Sequence, residues 1–157
     1  MYLTLDEGIF AKVIVMMTAY VIPPAGKESV IPIAVVADVH PALAASSIAF
    51  IDIVTALFLV WNFDHLKRVP VLGETIANME RRGGILLEEH SRMRRFAFTG
   101  IVILVIIPFQ GTGAVMASII GRIIGMDPYK VFIAITIGAL VGCFAIAYFI
   151  DVIMLLV

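Results

Sequence analysis

Charge and cysteine are both scarce in this chain of 157 residues. Charged residues make up only 15% of the sequence, whereas apolar residues make up 62%, and the mean hydropathy is +1.09. Soluble domains are about 45–50% apolar and about 25% charged, and one core of this size cannot hide the excess. The composition therefore argues against a soluble enzyme or a disordered tail, and it predicts a small integral membrane domain.

Sequence motifs for several common enzymatic and binding functions are missing as well. The single cysteine, Cys143, excludes an internal disulfide, and the net charge of −1 without a basic patch argues against nucleic acid as a partner. No two of the three histidines have metal-ligand spacing, and the chain contains neither a Walker lysine motif nor Gly-x-Ser-x-Gly. We therefore expect no enzymatic activity, no metal site and no cofactor.

What charge there is concentrates in one segment. Residues 64–95 contain 12 of the 23 charged residues. The sequence therefore predicts one membrane domain over residues 1–157, with a first apolar half (1–63), a polar linker (64–95) and a second apolar half (96–157).

Each half contains one apolar run that is long enough to cross a bilayer. As helices, residues 41–63 and 129–150 reach about 34 Å and 33 Å, against a hydrocarbon core of about 30 Å. The other apolar runs are too short and flank breaks rich in proline and glycine, which favours two re-entrant helical hairpins. These short runs are residues 9–22, 30–38, 96–107 and 114–126.

The same order of elements recurs in both halves. Pro23-x-x-Gly26 matches Pro108-x-x-Gly111, and His40-Pro41 matches Asp127-Pro128, where each proline opens a long helix. The pattern predicts an all-α membrane fold with an inverted repeat of re-entrant hairpin plus transmembrane helix. The rival architecture has four ordinary crossings, with kinked helices over 9–38 and 96–126.

The basic residues predict the orientation. In the hairpin architecture, nine of the eleven Lys and Arg residues lie on the linker side, so the linker is expected to be cytoplasmic in a multi-pass protein of the cell membrane. Apolar residues between 69 and 79 recur at helical spacing. They predict an amphipathic helix that lies either on the inner leaflet or against the protein's own inner face.

Asp52 stands at the centre of the predicted helix 41–63, close to the bilayer midplane. An ionised Asp there costs at least about 2.5–3.5 kcal/mol on insertion scales, so the carboxyl must be paired, hydrated or protonated. The sequence leaves two interpretations open, a proton carrier and a hydrogen-bonded packing residue.

Lys27 and Glu28 fall in the first break, directly after Gly26. If the tip of that hairpin lies deep in the membrane, Glu28 can titrate or hold substrate, with Lys27 as its counter-charge. If residues 23–29 form an exposed turn, both charges are simply solvated.

The second break predicts a substrate cradle made of Gln110, Gly111, Thr112 and Gly113. Its glycines leave backbone groups free to face a cavity, and a helix beginning there would direct unpaired N–H groups at an anion. The alternative is a proline kink in one continuous spanning helix.

Three further polar residues have two interpretations each. Arg122 either extends to the inner interface or contacts an anionic substrate. Asp38 and His40 flank the turn before Pro41, and we expect a helix-capping Asp and a surface His rather than functional residues.

Small residues recur at four-residue steps and let helix backbones approach closely. We expect them to pack the hairpins against helices of the same chain, with a homodimer as the alternative. They are Gly113, Ala117, Gly121, Gly125, Ala134, Gly138 and Gly142.

The run Ile107-Pro108-Phe109-Gln110-Gly111-Thr112-Gly113-Ala114, followed by Ser118, Gly125 and Phe132, resembles the Pro-x-x-Gly-Thr-Gly-Ala signature of the small multidrug export family of prokaryotic membrane proteins. Gly26-x-Glu28-x-x-Ile31-Pro32 is similar to that family's Gly-x-Glu-x-x-x-Ile-Pro stretch. The resemblance extends to the DedA/VTT superfamily as a distant relative, whose members have two opposed re-entrant hairpins. Where DedA tips carry arginines beside the proline, this chain has Phe109 and Gln110.

The resemblance implies a transport role in the membrane. The leading hypothesis is a small secondary transporter or flippase for an amphipathic or anionic lipid-like substrate, with Glu28 and Asp52 as ionisable carriers. The alternatives are an uncoupled lipid scramblase and a non-transporting membrane scaffold whose linker binds a partner or anionic lipid. The expected partners are therefore membrane lipids, a small substrate and a second copy of the chain.

Overall fold

The computed structural model describes residues 7–21, 26–66, 91–107 and 113–156, and within these ranges every regular element is a helix. The centres of both breaks, with the predicted cradle residues Gln110, Gly111 and Thr112, lie outside the described residues, as does the predicted helix over 69–79. The helices are α1 (Glu7–Val21), α2 (Lys27–Val36), α3 (Pro41–Trp61), α4 (Phe63–Leu66), α5 (Ser91–Ile106), α6 (Ala114–Ile123) and α7 (Pro128–Leu156).

Two of these helices, α3 and α7, are long and apolar enough to cross a membrane. At helical rise their 21 and 29 residues span about 31 Å and 44 Å, while α1, α2, α5 and α6 each reach only about 15–24 Å. The prediction of two helices long and apolar enough to cross a membrane, together with the four shorter helices α1, α2, α5 and α6, is therefore confirmed. The boundaries shift by a few residues: α5 already begins at Ser91, and α7 continues to Leu156.

Both long helices begin at a proline that follows a capping side chain. His40 Nδ1 accepts a hydrogen bond from Ala42 N at 3.2 Å, and Asp127 Oδ1 accepts one from Tyr129 N at 3.0 Å. The expectation that Asp38 caps α3 is wrong, because Asp38 has a φ of 64° and ends α2 instead. The histidine has taken the capping role because its ring nitrogen reaches the first free N–H groups of the helix.

The first two helices fold back on each other. Near the start of α1, Lys12 Nζ donates to Ala37 O at 2.7 Å, just beyond the end of α2. A single kinked helix over 9–38 would hold these two residues far apart. Helices α1 and α2 therefore run antiparallel, so that the last turn of α1 and the first turn of α2 lie at the same end of the pair.

The second pair, α5 and α6, is arranged in the same way along α7. A Cβ added at Gly138 would lie 2.7 Å from Val105 Cβ, and one added at Gly142 would lie 3.2 Å from the Ile106 Cα. Helix α5 therefore runs parallel to α7 and ends near its middle. Helix α6 returns, because a Cβ at Gly121 would lie 2.7 Å from Val131 Cγ1, near the start of α7.

Helices α3 and α7 lie side by side in opposite directions. Trp61, the last residue of α3, packs edge-on against Tyr129 and Phe132 in the first turns of α7, with ring centroids 5.4 Å apart in both cases. Two apolar clusters fill the interior, one built mainly from α1, α2 and α3, and the other mainly from α5, α6 and α7.

The helices α2 and α6 are built alike at positions 87 residues apart. Gly26 and Gly113 each precede the first residue of the helix in an extended conformation. At the far ends, Val39 N donates to Ala34 O at 3.0 Å, and Met126 N donates to Gly121 O at the same distance. These are the bonds of a Schellman ending, which explains the positive φ at Asp38 and at Gly125.

This correspondence corrects one detail of the sequence comparison. The structural equivalent of Gly26 is Gly113, whereas the sequence pattern paired Gly26 with Gly111. Gly111 and Gly113 stand two residues apart in the sequence. Gly113 is the one that directly precedes α6, as Gly26 precedes α2.

Large apolar side chains remain exposed on the outer faces of the helices, as expected for a surface that contacts lipid. Examples are Val15, Ile33, Phe50, Phe58, Phe149 and Leu156. Most of the small residues face inward instead, although Gly125 is exposed. Their expected role in packing within the chain is confirmed at Gly121, Gly138 and Gly142.

Gly138→Ala is expected to lower the free energy of unfolding by about 1–3 kcal/mol, the usual cost of overpacking. The new methyl would lie 2.7 Å from Val105 Cβ and 2.9 Å from Val102 O, a backbone atom that cannot move aside freely. Thermal unfolding in mild detergent, followed by circular dichroism, measures the change.

Gly100→Ala is the matched control, since Gly100 is also helical and a Cβ there meets nothing within 4 Å. This variant should be neutral or gain up to about 1 kcal/mol, because alanine favours a helix more than glycine. Equal loss in both variants would contradict the close approach of α5 and α7.

Candidate functional site

Asp52 is the twelfth of the 21 residues of α3, and only 2% of it is exposed. Its neighbours on the helix are apolar or small, so the carboxyl group has been brought into the interior by α3 itself. The structure thus places Asp52 in the interior of α3, and its position near the bilayer midplane stays a prediction.

Tyr20, in the last turn of α1, is the direct partner of Asp52. Its hydroxyl donates to Asp52 Oδ1 at 2.5 Å. Within the described residues, the other oxygen, Oδ2, is buried and accepts no hydrogen bond. One oxygen of the carboxyl group is therefore held in place, while the other is left with acceptor capacity in an apolar setting.

The start of α6 faces the same carboxyl group. The backbone N–H of Ala114 is directed at Asp52, and a Cβ added at Gly113 would lie 3.4 Å from the Tyr20 hydroxyl and 3.8 Å from Asp52 Oδ1. A side chain larger than hydrogen at position 113 would thus press on the pair. The amino-terminal end of a helix carries unpaired N–H groups and partial positive charge, which favours an anion at this place.

Lys27 lies beside this pair and is only 3% exposed. Its Nζ donates to the carbonyl of Val105 near the end of α5, and a Cβ at Gly142 would lie 3.4 Å from Nζ. The positive charge also acts on Asp52. The lysine therefore links the joined end of the first helix pair to that of the second.

Lys27 and Glu28 were expected in the break, and this expectation is wrong. They are the first two residues of α2, because Gly26 in its extended conformation ends the break one residue earlier. An acidic residue in a first turn is favoured by the helix dipole. Lys27 is buried rather than solvated, which rules out an exposed turn for this residue.

Glu28 folds back towards the start of its own helix. Its carboxylate occupies the space that a Cβ at Gly26 would need, and its charge acts on Tyr20. In the part of the chain that the structure describes, Glu28 Oε1 is buried without a hydrogen-bond partner. We call Tyr20, Lys27, Glu28, Asp52 and the Gly113–Ala114 start of α6 the polar centre.

Arg122 is not part of the polar centre. It lies nine residues beyond Gly113, about 13 Å along α6. There its Nη1 donates to Met126 O at 3.3 Å, and its guanidinium lies 5.4 Å from the centre of the Phe63 ring. Both predicted roles, extension to the interface and contact with an anion, stay predictions, but a direct contact with Asp52 is excluded by this separation.

Sequence reasoning missed Tyr20 and Cys143. Tyr20 is the last polar side chain of the first apolar run, directly before a break, and that position is a usable signal. Cys143 is fully buried in α7, and its sulfur is within electrostatic reach of Lys27 and Asp52. An isolated cysteine in an apolar run carries no signal of its own.

Among the described residues, no group of three or more His, Cys, Asp and Glu side chains is arranged to hold a metal ion. The polar centre offers two carboxyl groups, Asp52 and Glu28, and Asp52 has a hydrogen-bond donor, a buried cation and a helix amino terminus around it. This arrangement suits proton exchange and the binding of negative charge in an otherwise apolar interior.

Fold and site together define an all-helical membrane protein with a buried ionisable centre. A family model described as "putative small multi-drug export protein" matches residues 28–145, which include most of the polar centre. The chain belongs to this family, and the family description makes a transporter its functional class. No curated protein and no solved structure matches the chain with significance.

Proposed function

We propose that the protein is a small secondary transporter or flippase that moves an amphipathic or anionic lipid-like substrate and couples this movement to protons. The family description supports export across the membrane. The observation that carries the proposal is Asp52, buried at mid-helix with one oxygen bonded to Tyr20 and the other without a partner among the described residues.

In this proposal the two helix pairs are re-entrant hairpins that enter the membrane from opposite faces, as an inverted repeat. The antiparallel course of α1 and α2, supported by the bond from Lys12 to Ala37, favours this architecture. So does the packing of Trp61 on Tyr129, because it puts the start of α7 beside the end of α3. The open ends of the two pairs then lie at opposite ends of the bundle.

The roles within the site follow from the chemistry of each group. Asp52 carries the proton, and Oδ2 is the oxygen that accepts it, since Oδ1 is engaged by Tyr20. Glu28 is the second ionisable carrier. The backbone at Gly113, together with Gln110, Gly111 and Thr112 from the preceding segment, forms the cradle for the substrate, and Arg122 assists at the inner end of α6.

The remaining expectations are part of the same proposal. The protein has no enzymatic activity, lies in a prokaryotic cell membrane as a multi-pass protein, and keeps the linker 64–95 in the cytoplasm. The distant relationship to the DedA/VTT superfamily is proposed on the sequence resemblance and on the joined helix ends meeting at Lys27 and Val105.

Purified protein in proteoliposomes tests the function. Two probes cover the proposed substrate classes: ethidium as a small amphipathic compound, and fluorescent phosphatidylglycerol as an anionic lipid. We expect movement of at least one probe to depend on an imposed pH gradient, and this dependence to disappear in Asp52→Asn. Asp151→Asn, near the end of α7, is the matched control and should behave like the wild type.

The alternatives predict different results in the same vesicles. A lipid scramblase moves lipid in both directions, ignores pH, and keeps its activity in Asp52→Asn and Glu28→Gln. A scaffold moves neither probe, and its cellular function depends on the apolar face of residues 69–79 instead. If the gradient drives the wild type and Asp52→Asn equally, the proposed role of Asp52 is wrong.

A further inference from the structure

Three groups that surround Asp52 favour negative charge. Tyr20 donates its hydroxyl proton, Ala114 presents its backbone N–H, and Lys27 contributes a buried positive charge. They come from three different helices, α1, α6 and α2. We propose that they form an anion-binding site which the Asp52 carboxylate occupies at rest, and that a proton on Asp52 releases them for the anionic head of the substrate.

This inference rests on the proposed function and makes it more specific. The Oδ2 atom of Asp52 is buried and lacks a partner within the described residues, so it is the oxygen that accepts the proton. The neutral carboxyl group then holds the Tyr20 hydroxyl at Oδ1 less strongly than the carboxylate did. Protonation removes the negative charge that Lys27 faces. Because an uncompensated buried cation is unfavourable, Lys27 then stabilises an entering anion in place of the Asp52 carboxylate.

The charge balance of the site indicates how many protons accompany each anion. One proton on Asp52 and one anion beside Lys27 leave the net charge of the site as it was. Proton and anion are therefore expected to enter and leave the site together. A cationic substrate would instead face Lys27 and the amino terminus of α6, both of which repel it.

Other titratable groups near Asp52 have to be considered too. From α2, Glu28 adds a second carboxyl group, and from α7, Cys143 adds a buried thiol. Helix α5 contributes the carbonyl of Val105, which already accepts from Lys27. Glu28 folds against Gly26 at the start of α2, where the helix dipole balances its charge, so we place the exchange on Asp52.

The substrate class is an amphiphile with one negative charge, such as a sulfonate, a carboxylate or a phosphate diester on an apolar tail. In this proposal the charged head takes the place of the Asp52 carboxylate at the polar centre, and the apolar tail lies against apolar side chains of the helices. A lipid headgroup and a free amphipathic anion present the same chemistry, and the experiment has to separate them.

Binding measurements on the full chain in phosphatidylcholine nanodiscs test the site directly. The probes are decanesulfonate and decyltrimethylammonium, which have equal tails and permanent opposite charges, so any exchanged proton belongs to the protein. Empty nanodiscs correct for partition into lipid. We expect decanesulfonate to bind at least about tenfold more tightly, with uptake of up to about one proton per anion and weaker binding as pH rises.

Two variants give opposite results. Asp52→Asn removes the resident carboxylate, so decanesulfonate should bind without proton uptake, and its affinity should no longer fall at high pH. This gain at high pH cannot arise from a misfolded protein. Lys27→Gln should weaken binding by about 30-fold or more, while Lys130→Gln, at an exposed position of α7, leaves it unchanged.

Glu28→Gln separates the two carboxyl groups. It should keep the proton uptake that accompanies decanesulfonate, whereas loss of the uptake in this variant alone would move the exchange to Glu28 and contradict the assignment to Asp52. Preferred binding of the cation, or anion binding without proton uptake in the wild type, would overturn the inference.

A vesicle experiment separates the inference from the proposed function. Proteoliposomes of phosphatidylcholine with a trace of fluorescent phosphatidylglycerol report a lipid substrate, and decanesulfonate loaded inside reports a soluble one. Coupled binding without movement of either probe contradicts transport but keeps the site. Movement of a probe without coupled binding contradicts the site but keeps transport.

Discussion

Cysteines introduced at His65 and Lys130 are expected to react with a membrane-impermeant maleimide from one face of the membrane, and a cysteine at Gly8 from the other. All three positions are exposed, and the native Cys143 is fully buried and replaced by alanine in the background. In the proposed architecture each hairpin returns to the face from which it entered. Only α3 therefore separates Gly8 from His65, and no crossing separates His65 from Lys130.

The rival architecture reverses both results. Four ordinary crossings put Gly8 on the same face as His65 and put Lys130 on the opposite face. In the proposed architecture with a cytoplasmic linker, by contrast, cysteines at His65 and Lys130 should label only in inverted vesicles, and a cysteine at Gly8 should label only in intact cells. The contrast is close to complete labelling against none, so either outcome decides between the two architectures.

Replacing Lys27 by Met is expected to lower the free energy of unfolding by about 3–5 kcal/mol, the usual cost of leaving one buried charge without its counterpart. The variant also loses the bond from Lys27 to Val105 that joins the two helix pairs. Adding Asp52→Asn to Lys27→Met should recover part of this loss, because the carboxylate that Lys27 had balanced is then gone.

A double-mutant cycle measures the coupling. Unfolding free energies of the two single variants and the double variant in mixed micelles should deviate from additivity by at least about 1 kcal/mol. The control cycle uses Lys130→Met and Asp151→Asn, which lie far apart on α7 and should add within about 0.5 kcal/mol. Strict additivity at Lys27 and Asp52 would mean that the two charges do not act on each other.

The long helices and their first residues were predictable from local sequence. The dipeptides His40-Pro41 and Asp127-Pro128 mark both starts, because a proline is tolerated in a first turn and disfavoured in the interior of a helix. The interior position of Asp52 was predictable for a similar reason, since it is the one charged residue in a long apolar run.

The polar centre was only partly predictable, because its contacts join residues that are distant in sequence. Tyr20 meets Asp52 across 32 positions, and Lys27 meets Val105 across 78. Hydropathy placed Lys27 in the break because charges usually mark exposed turns. Its burial depends on α5 and α7 lying within reach of its ammonium group. No local sequence pattern around Lys27 predicts that packing.

The glycines of the second break show a second limit of prediction from sequence. Gly111 and Gly113 are equally good candidates by composition, and the backbone selected Gly113 as the residue before α6. Arg122 shows a third limit of prediction from sequence. Its distance from Asp52 depends on which end of α6 lies at the polar centre. The sequence determines that end only if the chain is known to turn back at the break.

The constant spacing of 87 residues also reveals what the two halves do not share. At that spacing Lys27 corresponds to Ala114 and Asp52 corresponds to Ala139, so α2 and α6 begin and end alike while these two buried charges have no counterpart in the second half. If the protein alternates between two conformations by exchanging the shapes of its halves, the two end states therefore differ in energy. This difference sets which state is more populated at rest, whereas gradients across the membrane set the direction of net movement.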